Sequence, residues 1–237
     1  MTRVVAMWSP PRALSTAFVR MMIERGDVFV VHEPFSNLEA VGEFLVGDRR
    51  TTTYDELVDA LFDAARDRPV FFKDTTEYRY APLLDDRRIL HDAINTFLVR
   101  DPRRSIPSHH AINPDVTLEE IGFGHLLEIY EAVERATGRA PLVMDADDLV
   151  GRTHDVVEAY CRAVGLPFVP EALTWTPGAR PEWARTDHWH RDVDASTGFS
   201  ARSREYAVNC DNDERLASYL RHHEPIYRRL HERRLRV

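Results

Sequence analysis

The chain has 237 residues, of which 43% are hydrophobic and 30% are charged, and its formal net charge is −8. This size and composition favour one soluble globular domain with a large core. The negative charge argues against a general binder of nucleic acid or acidic membranes. No apolar run approaches the length of a membrane span, and the first residues lead straight into a strand, so we predict a cytoplasmic protein without a signal peptide.

Short apolar segments alternate with amphipathic ones along most of the chain. In chain order they predict a strand over 3–8, a helix over 13–25, a strand over 28–31, a helix over 53–66, strands over 69–73 and 95–99, a helix after Asp101, a helix over 116–137, a strand over 141–144, and helices over 152–164 and 212–234. This order predicts an α/β fold, a P-loop-like three-layer sandwich with a central parallel sheet flanked by helices. We expect a single domain over 1–237, with its core at about 3–170.

The stretch 174–204 differs from the rest of the chain because it has three tryptophans, two prolines and no clear periodicity. A long aperiodic segment in a compact domain is typical of a lid or a binding segment. Trp175, Trp183 and Trp189 either line an acceptor pocket or pin this segment to the core.

The first candidate site follows the first strand, in the segment Trp8-Ser9-Pro10-Pro11-Arg12-Ala13-Leu14-Ser15-Thr16. A strand, a polar turn and a helix in this order point backbone N–H groups at an anion, and Arg12 with the paired hydroxyls of Ser15 and Thr16 suits a phosphate. The loop is not a Walker A motif, because its glycines and its Gly-Lys-Ser/Thr ending are absent. The alternative is a plain strand–helix connection with capping serines.

A second candidate site lies at the end of the strand over 95–99, where Arg100 is followed by Asp101-Pro102 and, eight residues after the arginine, by Ser108. Asp-Pro is also a good helix start, so the alternative is a capped helix beside a surface arginine. In a parallel sheet, the carboxyl ends of the strands meet at one edge. Both candidate sites, the only lysine (Lys73) and the turn 32–35 lie at such ends, which predicts a ligand phosphorylated at two places.

These segments together resemble the sulfotransferases that use 3′-phosphoadenosine 5′-phosphosulfate (PAPS). In that family, a loop with a basic residue and paired Ser/Thr follows the first strand, and a later strand ends in Arg, Pro and, eight residues after the Arg, Ser. A third match is 141–149, with its Asp-Asp-Leu, followed by Gly165-Leu166-Pro167-Phe168. The resemblance covers about 3–170.

The resemblance implies in-line transfer of a sulfuryl group from PAPS to a hydroxyl of a small-molecule acceptor, with adenosine 3′,5′-bisphosphate as the product and no metal. It implies no nucleic-acid or membrane partner. It assigns the 5′ end of the donor to Pro11, Arg12, Ala13, Leu14, Ser15 and Thr16, and its 3′-phosphate to Arg100 and Ser108, with Arg202 and Arg204 as further basic contacts. Arg12 and Lys73 would stabilise the charge that builds on the leaving phosphate.

The catalytic base departs from the family pattern. Many members have Lys-Thr-His at the third strand, and the histidine is their catalytic base. This chain has Lys73-Asp74-Thr75 there and therefore lacks that histidine. Some bacterial members instead have a Gly-Glu-Pro-Phe turn, which is similar to His32-Glu33-Pro34-Phe35. The resemblance thus ranks Glu33 first as base, Asp74 second and His32 third, and a base requires a partly desolvated cleft and a pKa closer to neutrality.

Three other interpretations stay open at this point. A small-molecule kinase would share the fold, and a nucleotide-binding protein without catalysis would keep both candidate sites without a working base. His188 and His190, with Asp187 and Asp192, could ligate a metal, but no second His/Cys pair has suitable spacing, so we predict no metal site.

Overall fold

The computed structural model describes residues 3–200 and 204–237. Its elements, in chain order, are β1 (Val4–Ser9), α1 (Ser15–Glu24), β2 (Phe29–His32), α2 (Pro34–Val41), β3 (Phe44–Val46), β4 (Arg49–Thr51), α3 (Tyr54–Ala64), β5 (Val70–Thr75), β6 (Ile94–Val99), α4 (Pro102–His110), α5 (Phe123–Thr137), β7 (Leu142–Asp145), α6 (Ala146–Gly151), α7 (Thr153–Val164), α8 (Arg191–Asp194) and α9 (Glu214–Glu232). Single helical turns lie at Ala81–Leu84, Arg88–Asp92, Glu119–Ile121 and Pro170–Leu173, and a longer 3₁₀ segment spans Pro181–Trp189.

The central sheet has five parallel strands in the order β2-β5-β1-β6-β7. In the middle of β1, Met7 pairs with Lys73 on one side and with Thr96 on the other. After β5 the chain crosses to the far side of β1 to form β6. The loop after β1 therefore lies beside a switch point of the sheet, at the carboxyl edge where such folds bind ligands.

Both faces of the sheet are covered. Along β1, alternate residues face opposite sides: Val4, Ala6 and Trp8 pack in one apolar cluster, with α3 and α5, while Val5 and Met7 pack in the other, with α1 and α7. Successive residues of a strand face opposite sides of the sheet. A strand that is buried on both faces is therefore apolar at every position. The predicted three-layer α/β sandwich is confirmed.

The predicted helix over 116–137 is wrong in its first part, because α5 begins only after Gly122. This glycine has a φ of 87°, and a Cβ there would lie 2.9 Å from Pro11 Cδ and from the Thr76 carbonyl oxygen. The backbone must pass this close to the loop after β1, so the helix cannot run through it. Helices α2 and α6 and the hairpin β3–β4 were not predicted from the sequence.

The segment 174–200 packs against α1 through buried side chains and through hydrogen bonds to its backbone carbonyls. Trp175 and Trp183 are buried in the same cluster as α1, and the buried Arg20 of α1 donates hydrogen bonds to the carbonyls of Thr176 (2.8 Å) and Gly178 (2.9 Å). Of the two interpretations of the tryptophans, pinning to the core holds for these two. In the described ranges, no helix combines the length and apolar character needed to cross a membrane.

Candidate active site

A cavity of about 620 Å³ opens at the carboxyl edge of the sheet. Its walls come from the loop after β1, the turn between β2 and α2, the end of β5, the start of α4 and the segment 186–200. The predicted site residues that line it are Pro11, Arg12, Ala13, Leu14, Ser15, Thr16, Glu33, Lys73, Arg100, Ser108 and Arg204. Arg202 lies outside the described residues.

The two predicted anion sites are in direct contact along one side of this cavity. Arg12 Nε donates a hydrogen bond to Ser108 Oγ at 3.0 Å, and the Arg100 guanidinium donates to the Arg12 carbonyl at 2.9 Å. Arg12 also donates to the carbonyl of Trp189 at 2.8 Å. The loop after β1 and the start of α4 therefore form one continuous wall on the same side of the molecule.

The loop after β1 has an unusual backbone that leaves N–H groups available. Arg12 and Leu14 have φ angles of 65° and 64°, in the left-handed region that residues other than glycine rarely adopt. Helix α1 begins at Ser15, and no side chain of the described residues caps its N-terminus. Open N–H groups at a helix start carry partial positive charge and suit an anion, and local strain of this kind is concentrated at functional sites.

The cations of this wall are largely withdrawn from water. Burial lowers the pKa of the Arg12 and Arg100 guanidinium groups, and Arg100 is 9% exposed. Among the described residues, Arg100 Nε has no hydrogen-bond partner. A buried donor without a partner is costly, so an anion at this position would be stabilised. Arg204 and Arg104 line the same cavity and a smaller one of about 360 Å³ beside it.

Glu33 and Lys73 form an ion pair on the opposite wall, at the ends of the neighbouring strands β2 and β5. Lys73 Nζ donates to Glu33 Oε1, and the side chains are 3% and 13% exposed for Lys73 and Glu33. Glu33 has a φ of 50°, and its N–H donates to the Lys73 carbonyl at 2.7 Å. Burial by itself would raise the pKa of Glu33, but the positive charge of Lys73, with the neighbouring imidazoles, outweighs it and lowers this pKa well below its usual value. The partly buried position of Glu33 is as predicted, whereas the predicted shift of its pKa towards neutrality is wrong.

Asp74 lies behind this wall, fully buried, and its carboxylate holds the turn that carries Glu33. It accepts hydrogen bonds from the N–H groups of Phe35 (2.6 Å), Ser36 (3.2 Å) and Thr75 (2.9 Å), from the Tyr80 hydroxyl (3.1 Å) and from the Ser36 hydroxyl. Burial raises the pKa of Asp74 to about 7. Asp74 therefore contacts the start of α2 and does not line the cavity, where the sequence expected its second-ranked candidate base.

His32 and His190 meet beneath Glu33. Their Nε2 atoms lie 3.4 Å apart, and His190 Nδ1 is 3.1 Å from Thr16 Oγ1. Burial lowers the pKa of His32 to about 4 and that of His190 to about 3, so both rings are neutral at pH 7. A buried imidazole with such a low pKa is a poor proton acceptor, which counts against His32 as the third candidate base.

The structure separates the two histidines that the sequence paired as possible metal ligands. His188 is exposed, with Nδ1 3.9 Å from Asp187, whereas His190 is buried against His32. Ligand atoms of His32, Glu33 and His190 all lie within 4.8 Å of one another. The sequence missed this group because its members come from places 157 residues apart in the chain, 33 and 190.

Several further cavity residues were missed, among them Ser36, Asn37 and Glu77, whereas Trp189 lines the cavity, which is one of the two interpretations given to it. Burial, followed by repulsion from Glu33, raises the pKa of Glu77 to about 7. Its position directly after β5 is the signal that could have found it, because carboxyl ends of strands line such sites.

The chain matches a family model described as a sulfotransferase domain over residues 2–233. Two curated relatives from Arabidopsis thaliana, the branched-chain-amino-acid aminotransferase-like proteins 1 and 2, are 28% and 27% identical over 212 and 209 residues. Each alignment covers 84% of this chain but only 37% and 36% of the relatives, so the chain spans little more than a third of their length. Among solved structures, the sulfotransferase domain from the curacin biosynthetic pathway has the same fold, with a TM-score of 0.53, 14% identity and 84% of each chain covered. The chain therefore belongs to the sulfotransferase domain family.

Proposed function

We propose that this protein transfers a sulfuryl group from PAPS to a hydroxyl of a small-molecule acceptor. Family membership supports sulfuryl transfer in general; the donor and the acceptor class are the proposal. The observation that carries it is the contact between the two anion sites, in which Arg12 bonds Ser108 and Arg100 bonds the Arg12 carbonyl in one cavity. A donor with phosphate groups at both its 5′ and 3′ positions matches two linked sites better than a simple triphosphate does.

In this proposal, the loop from Pro11 to Thr16 and the start of α1 hold the 5′ end of the donor. Arg100 and Ser108 hold the 3′-phosphate, with Arg204 as a further cation at the same wall. Fixed cations and helix N–H groups stabilise the charge that develops on the leaving phosphate oxygen, so the transfer requires no metal.

The acceptor oxygen forms a bond to sulfur while the bond between sulfur and the 5′-phosphate oxygen breaks, and adenosine 3′,5′-bisphosphate leaves. Glu33 takes the acceptor proton. Its low pKa reflects the ion pair with Lys73. The negative charge of the donor competes for Lys73, and as that ammonium turns to the leaving group, the pKa of Glu33 rises towards the value that a base needs.

The remaining features of the proposal follow from the sequence. In this proposal, residues 1–237 act as one domain in the cytoplasm on a small acceptor, without nucleic acid or membrane as partner. Ser36 and Asn37 of α2 would contact the acceptor, since they follow Glu33 in the chain and line the cavity, which Trp189 lines beside Arg12.

A nucleotide titration followed by thermal unfolding tests the donor assignment. We expect adenosine 3′,5′-bisphosphate to raise the melting temperature in a saturable way without added Mg²⁺, and ATP with Mg²⁺ to give a much smaller shift. The reverse order would support the kinase interpretation and reject PAPS as donor. A screen of hydroxyl acceptors with labelled PAPS then tests transfer itself.

A further inference from the structure

His32, Glu33 and His190 place three metal-binding atoms within 4.8 Å of one another. His32 Nε2 is 3.4 Å from His190 Nε2 and 3.6 Å from Glu33 Oε2. Two ligand atoms that each lie about 2.1 Å from a tetrahedral Zn²⁺ are about 3.4 Å apart. These two separations match edges of a zinc coordination tetrahedron, and the third, between Glu33 and His190, is longer but within 4.8 Å, so a side-chain rotation would close it.

The contacts around these residues leave His32 Nε2 and Glu33 Oε2 free to coordinate, whereas His190 Nε2 lies 3.2 Å from the Thr186 hydroxyl, a contact that a metal ion would replace. Lys73 bonds Glu33 through Oε1, which leaves Oε2 turned towards His32. The Thr16 hydroxyl bonds His190 through Nδ1, which leaves Nε2 as the ring atom on the side of His32. Partners of this kind, on the far atoms of ligating side chains, are what orient histidine and carboxylate ligands in metal sites.

We infer that His32, Glu33 and His190 form a binding site for Zn²⁺, with a fourth position that opens into the cavity. Glu33 and His190 line the cavity wall, so a water molecule or an acceptor hydroxyl can reach that position. Two imidazoles and one carboxylate favour Zn²⁺ over Mg²⁺ or Ca²⁺, which take oxygen ligands. This site differs from the pair of His188 and His190 that the sequence suggested, because His188 faces solvent.

Zinc in this site holds the carboxylate oxygen that faces away from Lys73. An ion at Glu33 Oε2 blocks proton transfer to that residue, so bound Zn²⁺ lowers turnover and a chelator restores it. This consequence, unlike the binding itself, rests on the proposed function. The site is thus inhibitory and is not needed for transfer.

The test measures metal content of the full chain. Protein is treated with a chelator, incubated with a small excess of Zn²⁺, desalted and assayed by atomic emission; we expect one Zn²⁺ per chain. With Co²⁺ in place of Zn²⁺, we expect the intense visible d–d bands of a four-coordinate ion. The variants His190→Asn and Glu33→Gln should lose most of the bound metal, whereas the control His188→Asn, two residues away and exposed, should retain it.

Two results would overturn the site: wild-type protein that retains no zinc, or His190→Asn protein that retains as much as wild type. The melting temperature of each zinc-free variant, with and without adenosine 3′,5′-bisphosphate, shows whether it is folded and whether the donor site is intact. Failure of the zinc site is therefore distinct from failure of the proposed function. Zinc binding with unchanged turnover would support the site and count against Glu33 as base.

Discussion

The two walls of the cavity carry opposite charge and are built differently. The wall at β1 and β6 presents the partly buried Arg12 and the buried Arg100, whereas the wall at β2 and β5 presents the carboxylates of Glu33 and Glu77, with Lys73 as its cation. The strand order β2-β5-β1-β6 separates the two sets along one edge. In the proposed function, this separation attracts a polyanion to one side and keeps a proton acceptor on the other, and Lys73, on the strand next to β1, is the cation at the boundary.

The walls also differ in what holds them. The arginine wall is a short loop and a helix start, each adjacent in sequence to its own strand. The carboxylate wall depends on residues distant in sequence, since Asp74 fixes the turn of Glu33 and His190 packs beneath it. Local sequence patterns can therefore indicate the first wall, and only packing produces the second.

The largest expected effect tests the division of labour between the walls. Glu33→Gln should lower turnover by about 100- to 10,000-fold, because the amide cannot accept the acceptor proton. Its affinity for adenosine 3′,5′-bisphosphate should change little, since the arginine wall is untouched; steady-state rates and calorimetric titration measure the two. The matched control is Glu39→Gln, the same change at an exposed position of α2. Full turnover in Glu33→Gln would discard Glu33 as base.

Loss of Asp74 should disrupt the carboxylate wall from behind. Asp74→Ala leaves the buried N–H groups of Phe35 and Ser36 without their acceptor, so we expect the free energy of unfolding to fall by about 2–4 kcal/mol, measured by urea denaturation. The control Asp63→Ala removes an exposed ion pair with Arg49 and should change the free energy of unfolding by less than about 0.5 kcal/mol. Equal effects of the two changes would contradict the role given to Asp74.

A substitution in the wall that holds Arg12 and Arg100 should lower nucleotide affinity more than it lowers the stability of the fold. Arg100→Ala should lower the affinity for adenosine 3′,5′-bisphosphate by about 10- to 100-fold, because a buried, charge-assisted contact is lost. Isothermal titration measures this, with the exposed Arg162→Ala as control. Unchanged affinity would remove the assignment of the 3′-phosphate to Arg100.

The smallest effect concerns the layer behind the arginine wall. His109 is buried against Trp189, and burial, then repulsion from Arg12, lowers its pKa to about 4. The unfolded chain thus binds a proton at higher pH than the folded one, so this residue costs stability as pH falls from about 6.5 towards 4. His109→Phe should flatten the plot of unfolding free energy against pH in that window, by up to about 1.4 kcal/mol per pH unit. Parallel plots for the two proteins would contradict this shift.

Much of the sheet could be predicted because each strand is a short apolar run buried on both faces. The predicted strand over 69–73 appears as Val70–Thr75, and that over 141–144 as Leu142–Asp145. Helix ends were predicted wrongly where a segment distant in sequence packs closely against the helix, as at Gly122, which lies against the loop after β1. The short helix α2 was missed because its N-terminus is capped by Asp74, 40 residues from its first residue, Pro34.

The sequence by itself determined the alternation of strands and helices, the segments 8–16 and 97–108 as candidate anion sites, and the carboxyl edge on which they lie, because these follow from local periodicity and from the geometry of a parallel sheet. Only the tertiary structure decided that Lys73 pairs with Glu33, that Asp74 bonds the start of α2, and that His190 contacts His32. Those outcomes depend on burial and on contacts between distant segments, and no local pattern specifies either.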